Sequence, residues 1–370
     1  MCIFADMENI IEKRVISLMS GTSLDGLDIA YCHIKADSDF SRFGVKLIAA
    51  ETVRYSSDWV RRLAHLDRGT ALEYALANVE LGQFFGQRVV DFRRRHEGDV
   101  DFIASHGHTI FHQPERRLTA QIGDGNAIAA ATGLPVVSDF RALDVALGGQ
   151  GAPLVPMGDQ ILFRKYDGCL NLGGFANISY EKDGRRVAFD IVPCNIALNY
   201  LARMQGAIYD RDGLMAQRGE VIDSLFDVLN ALPYYQRPLP KSLGKEWFVG
   251  EFMPLLSDYI GERTFEQLYN ALRTVTEHIA FQVAAAVSDA DIHTLMVTGG
   301  GAKNRFLIQC LRDLLPDCEI EIPSTTMVDY KEAIVFALLG FMRWHRQNNT
   351  LSSVTGAPVD SCGGVVSGLV

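Results

Sequence analysis

Val15-Ile16-Ser17-Leu18-Met19-Ser20-Gly21-Thr22-Ser23-Leu24-Asp25-Gly26-Leu27-Asp28 is an apolar run that meets a turn of glycine, hydroxyl and acidic residues, then enters a second apolar run reaching Ile34. Two apolar runs joined by a glycine turn predict a β-hairpin. The pattern returns in the second half of the chain. Cys169-Leu170-Asn171-Leu172 meets Gly173-Gly174, and Asn177-Ile178-Ser179-Tyr180, a turn at Asp183-Gly184 and an apolar run over 187–191 follow. The order strand, glycine turn, strand is therefore written twice.

Strands and helices alternate around these two copies. Residues 80–94 have helical spacing, Phe102-Ile103-Ala104 reads as a buried strand ending at Ser105-His106-Gly107, and residues 127–131 predict a helix stopped by Gly133-Leu134-Pro135. Val136-Val137 is a short strand ending at Asp139. After the second copy, residues 265–288 predict a long helix, Leu295-Met296-Val297 a strand meeting Gly299-Gly300-Gly301, and residues 330–344 a last amphipathic helix. A chain of 370 residues exceeds what one core usually organises. The expectation is a duplicated α/β architecture around a central cleft, with one domain over residues 1–131 plus 345–370 and the other over 132–344.

Composition limits the function. Hydrophobic residues make up 48% and charged residues 22%, as in an ordinary soluble protein. A formal net charge of −10 gives no bulk attraction for nucleic acid or anionic membrane, so neither is an expected partner. The seven cysteines, Cys2, Cys32, Cys169, Cys194, Cys310, Cys318 and Cys362, contain no C-x-x-C pair. This argues against a disulfide framework or zinc knuckle and for reduced thiols in the cytoplasm. No basic stretch precedes an apolar one at the N-terminus, so no secretory signal is expected.

The glycine turns carry the chemistry. Backbone N–H groups in such turns bind phosphate oxygens, and glycine permits close approach. The first turn adds the hydroxyls of Thr22 and Ser23, while Asp25 or Asp28 would hold Mg²⁺ through water. A single turn of this kind reads first as an ordinary hairpin; three, each closing an apolar run, favour a nucleotide site. No G-x-x-x-x-G-K-[ST] and no G-x-G-x-x-G after a strand is present. The arrangement left is that of actin-like sugar kinases, with two hairpins for phosphates and a later glycine turn for adenosine.

The motifs resemble those of the anhydro-N-acetylmuramic acid kinase family. They are Met19 to Asp28 as quoted, Ser105-His106-Gly107-His108-Thr109-Ile110, Gln121-Ile122-Gly123-Asp124, Asp139-Phe140-Arg141, Gly148-Gly149-Gln150-Gly151-Ala152-Pro153, Asn171-Leu172-Gly173-Gly174-Phe175-Ala176-Asn177, Gly299-Gly300-Gly301-Ala302-Lys303-Asn304, Lys331-Glu332-Ala333 and Val354-Thr355-Gly356-Ala357. The resemblance implies a two-domain actin-like ATPase fold. It implies transfer of the γ-phosphoryl of ATP, with Mg²⁺, to O6 of 1,6-anhydro-N-acetylmuramic acid while water opens the anhydro ring, as a step of peptidoglycan recycling. It implies a homodimer.

Residue by residue, the implied nucleotide set is Gly21, Thr22, Ser23, Leu24, Asp25, Gly26, Leu27, Asp28, Gly173, Gly174, Asn177, Gly299, Gly300, Gly301 and Asn304. Asp25 and Asp28 also serve the metal. The implied general base is Asp190; alone, it would read as a strand-end carboxylate. The implied sugar residues are His106, Asp139, Arg141 and Glu332. Arg141 suits a lactyl carboxylate, and an Asp139–Arg141 ion pair is the alternative. His106, His108 and His112 have a spacing that admits zinc, but His106-Gly107 matches a sugar-side turn and His108 suggests a hydrogen bond to substrate or a neighbouring loop.

Two segments depart from the family pattern. Ala142 and Leu143 stand where arginines are common, and Ile191, Val192 and Cys194 replace threonine and two glycines after Asp190. Two further functions follow from these departures: a kinase for another anhydro-sugar such as levoglucosan, or a weakly catalytic sugar or nucleotide sensor.

Overall fold

The computed structural model describes residues 10–21, 23–261 and 264–368. The chain divides into two compact units, Met1–Phe163 with Tyr330–Val370, and Arg164–Asp329.

In the first unit, β1 (Ile11–Ser20), β2 (Gly26–Ala36) and β3 (Phe43–Arg54) form an antiparallel meander. β4 (Phe102–Gln113) joins β1 in parallel, β6 (Val136–Ser138) joins β4 in parallel, and β5 (Leu118–Ile122) pairs antiparallel with β4. In the second unit, β7 (Gly168–Leu172), β8 (Phe175–Lys182) and β9 (Arg185–Pro193) form the equivalent meander. β10 (Thr294–Thr298) and β11 (Glu319–Glu321) extend it in parallel. β12 (Val365–Ser367) closes the first sheet beyond β6, so the orders are β12-β6-β4-β1-β2-β3 and β11-β10-β7-β8-β9. The same topology occurs twice, the duplicated α/β pattern of the actin-like fold.

The helix read over residues 80–94 starts earlier than its spacing showed, at Ala71. The Ala71–Arg95 helix begins at a capping box in which Thr70 and Glu73 satisfy each other's backbone N–H groups. Its buried face, including Ala77, Leu81, Phe85, Val89 and Phe92, packs with Ile16, Leu18, Leu27 and Ile29. Gly82 and Gly86 let the Gly125–Thr132 helix approach: a Cβ on Gly86 would lie 2.6 Å from that of Ala131. In the second unit the Phe265–Asp289 helix buries Leu272, Val275, Ile279 and Val283 among Leu170, Ile178 and Ile191.

The boundaries of the compact units differ from the sequence expectation at two segments. Residues 132–163 and 330–344 lie in the first unit. The reason is packing: Gly158 of the Val155–Leu162 helix meets Val335, where a Cβ would come within 2.4 Å. Lys331 Nζ pairs with Asp159 at 2.8 Å, and Ser17 Oγ donates to the Ala333 carbonyl at 2.6 Å. No spacing along the chain encodes these contacts.

Candidate active site

In the first unit the hairpin turn carries Gly21, Ser23, Leu24 and Asp25; Thr22 lies outside the described residues. Leu24 N–H donates to the Gly21 carbonyl at 3.3 Å, and Leu24 adopts a left-handed φ of 61°. Gly26 is required by crowding, since a Cβ there would sit 2.4 Å from the Val53 carbonyl oxygen on β3. Leu27 points into the core, so its part in the turn is packing. Asp25 is exposed, whereas Asp28 is half-buried and accepts from Thr52 Oγ1 at 2.6 Å.

His106 sits where β4 breaks register. Leu18 faces Ser105 but Ser20 faces His108, leaving one extra residue on β4. Gly107 absorbs this with a φ of 76°. Such a bulge re-aims a side chain. His106 is buried; its Nδ1 donates to the Gly107 carbonyl at 2.9 Å and its Nε2 accepts from Arg141 Nε at 3.0 Å. Arg141 Nη1 also donates to the Gly151 carbonyl at 2.6 Å. Burial lowers Arg141 to about 10, against the opposing pull of Glu332, and leaves it charged at neutral pH. Glu332 keeps an exposed surface, yet the protein crowded around it raises its ionisation by desolvation, against the pull of Arg141 and Lys331. Asp139 holds a left-handed φ of 57°. Arg141 is engaged by His106 and Gly151, and no Asp139–Arg141 ion pair occurs among the described residues.

The three histidines have separate protein partners. His108 Nδ1 lies 2.8 Å from Ser20 Oγ, and His112 Nδ1 lies 3.2 Å from Thr119 Oγ1. His108 thus bonds the end of β1. Among the described residues no three His, Cys, Asp or Glu side chains gather to hold a metal ion.

In the second unit the two glycine turns adjoin. A Cβ on Gly299, whose φ is 82°, would lie 2.4 Å from Asn171 Oδ1, and one on Gly301 would lie 2.7 Å from Leu172 Cβ. Gly173 and Gly174 are tied down from behind: Asn195 N–H reaches the Gly173 carbonyl at 3.1 Å and Cys194 N–H the Gly174 carbonyl at 2.9 Å. Gly300 joins the same turn, while Asn177 Nδ2 reaches only the Phe175 carbonyl at 3.5 Å. Asn304 caps the Arg305–Leu314 helix, its Oδ1 accepting from Leu307 N–H at 3.1 Å.

Asp190 also stands at a bulge. Ala176 faces Val192 and Asn177 faces Asp190, so Ile191 is the extra residue. Leu243 N–H donates to Asp190 Oδ2 at 2.8 Å, and Tyr234 Oη donates to the Asp190 carbonyl at 2.6 Å. Desolvation raises the carboxyl to about 6, offset in part by the Leu243 N–H. The residues that replace the family's glycines are absorbed by the core: Val192 and Cys194 are fully buried. The covering residues Tyr234, Lys241 and Leu243 escaped the sequence reading. The only signal was a short segment between Pro240 and Gly244.

The family model described as Anhydro-N-acetylmuramic acid kinase matches residues 13–367. The chain belongs to the anhydro-N-acetylmuramic acid kinase family. A relative of that name from Sulfurovum sp. (strain NBC37-1) is 34% identical over 358 residues, covering 94% of this chain and 96% of its own. One from Vibrio cholerae is 35% identical over 364 residues, with 92% and 95% covered. One from Streptomyces coelicolor is 35% identical over 373 residues, with 93% and 91% covered. As a member of a kinase family the chain is a phosphotransferase that uses ATP.

Proposed function

We propose that this kinase converts 1,6-anhydro-N-acetylmuramic acid, ATP and water to N-acetylmuramic acid 6-phosphate and ADP, in the cytoplasm and as a homodimer, within peptidoglycan recycling. The observation that carries the reading is Asp190, a half-buried carboxylate with one oxygen held by Leu243 N–H and an ionisation raised to about 6. A base tuned toward neutrality can take a proton from water at working pH. Water attacks the anomeric carbon, its proton passes to Asp190, and the bond from that carbon to O6 breaks, as in an inverting glycosidase. O6 takes the γ-phosphoryl and ADP departs.

His106 and Arg141 hold the sugar side, with the Arg141 guanidinium suited to the lactyl carboxylate and Glu332 to sugar hydroxyls. The three glycine turns offer backbone N–H groups to ATP. Mg²⁺ arriving with ATP would offset the phosphate charge, and Asp25 and Asp28 would hold it through water. The Asp28 carboxylate beside the Thr52 hydroxyl fits an ion that keeps most of its waters.

The deciding experiment measures ADP release with 1,6-anhydro-N-acetylmuramic acid and with levoglucosan, for wild type and Asp190→Asn. We expect preference for the carboxylate-bearing sugar and a loss of about a thousandfold or more in D190N. Preference for levoglucosan, favoured by the missing cations at Ala142 and Leu143, sinks the substrate assignment. Tight ATP binding without turnover of either sugar supports the sensor reading. Full activity in D190N removes the base.

A further inference from the structure

We propose that Lys241 is a positioning residue that holds the Asp190 carboxylate in its working orientation by pinning the backbone of residues 241–243 against it. The proposal rests on the reading of Asp190 as the base.

Residues 237–244 belong to no strand or helix. Yet two backbone groups of this segment grip Asp190: the Lys241 carbonyl accepts from Asp190 N–H at 3.3 Å, and Leu243 N–H donates to Oδ2 at 2.8 Å. A segment without a sheet ladder needs another anchor to keep a backbone donor fixed on a carboxylate. The Lys241 side chain supplies one. Its Nζ donates to the Tyr235 carbonyl at 3.1 Å and stands 5.0 Å from the Tyr234 ring centre and 5.6 Å from that of Phe189.

The anchor continues into the core. Tyr235 Oη lies 2.8 Å from His278 Nε2 on the Phe265–Asp289 helix, and His278 Nδ1 lies 2.7 Å from Asn230 Oδ1. Tyr234 meanwhile binds the Asp190 carbonyl. The ammonium thus joins the aromatic pair to the backbone side of the grip. Among the described residues, the titratable groups around Asp190 are Tyr234, Tyr235, Arg237 and Lys241 on the covering segment and His278 behind Tyr235; β8 presents the uncharged Asn177.

Losing the ammonium while keeping the aliphatic stem, as in Lys241→Met, should loosen Leu243 N–H from Oδ2. That donor favours the ionised carboxylate, so its loss raises the pH at which the base becomes active. The experiment measures kcat and KM for the anhydro-sugar from pH 5 to 9 with the full chain. For K241M we expect kcat to fall about tenfold, the scale of one hydrogen bond to a charged group, with KM changed less than about twofold. The acid limb of the kcat profile should move up by about half a unit or more. Lys241→Arg, which can still donate to the Tyr235 carbonyl, should restore both. If K241M is insoluble, K241Q carries the same comparison.

An acid limb that stays in place in the variant overturns the proposal, as does a kcat equal to wild type. A wild-type profile without an acid limb, or an active D190N, instead overturns the assignment of the base, whatever Lys241 does.

Discussion

Arg141 Nε donates to His106 Nε2 at 3.0 Å, while His106 Nδ1 donates to the Gly107 carbonyl at 2.9 Å. Both imidazole nitrogens are therefore used, and the ring must be neutral with its proton on Nδ1. Burial and the adjacent guanidinium both push the His106 ionisation well below the ordinary histidine value. The pair orients a permanent cation toward the same surroundings as Glu332.

Replacing Arg141 by Met removes that cation and, on the proposed sugar assignment, one charge-assisted bond to the lactyl carboxylate. The expected outcome is a rise of about 10- to 100-fold in KM for 1,6-anhydro-N-acetylmuramic acid, with the KM for ATP little changed. Steady-state kinetics with both substrates checks it. An unchanged sugar KM would remove Arg141 from the sugar site.

Acid should destabilise the fold through its buried histidines. His106 lies well below its ordinary value, His108 is lowered to about 4 and His278 to about 3, all by desolvation first. Below about pH 6.5 the unfolded chain takes up these protons while the folded chain does not. Stability then falls with pH by about 1.4 kcal/mol per unit for each such proton. Asp190 acts in the opposite sense, because its raised carboxyl binds a proton between about pH 6 and the unfolded value. His112 and His345, also lowered by desolvation, add to the first side, and Asp139 and Glu332, also raised by desolvation, to the second, so five histidines outweigh three carboxyls. Denaturant unfolding between pH 7 and 5 should show falling stability, and a flat profile there contradicts the neutral, buried histidines.

The Lys331–Asp159 pair is buried on both sides, with side-chain exposures of 6% and 5%. Lys331→Met should cost about 3–5 kcal/mol, because it removes the cation 2.8 Å from a buried carboxylate. The double variant K331M/D159L should be less destabilised than K331M. Urea unfolding of the three proteins checks this. A cost under about 1 kcal/mol for K331M would mean that water reaches the pair.

Much of the fold can be read from local pattern. The two hairpins and the strands before His106 and Gly299 announce themselves by apolar runs ending in glycine, and the Phe265–Asp289 helix by its helical spacing. These signals are local because each depends on neighbours within one turn or one strand. The bulges at His106 and Ile191 are not visible in this way, since an extra residue leaves the apolar pattern intact and appears only once a partner strand sets the register. The losses of glycine after Asp190 read as added bulk at the site. The fold instead takes Val192 and Cys194 into the core.

By itself, then, the sequence determined the duplicated α/β plan, the three glycine turns and the family, because residue type and spacing encode turns, strands and motif order. Only the tertiary structure decided that Arg141 leaves His106 neutral and that Lys331 and Val335 tie residues 330–344 to the first unit. It alone set a backbone N–H fifty-three positions along the chain against Asp190. Those facts depend on burial and on long-range contacts, and a carboxylate's ionisation is set by the water removed from around it, which no stretch of chain records.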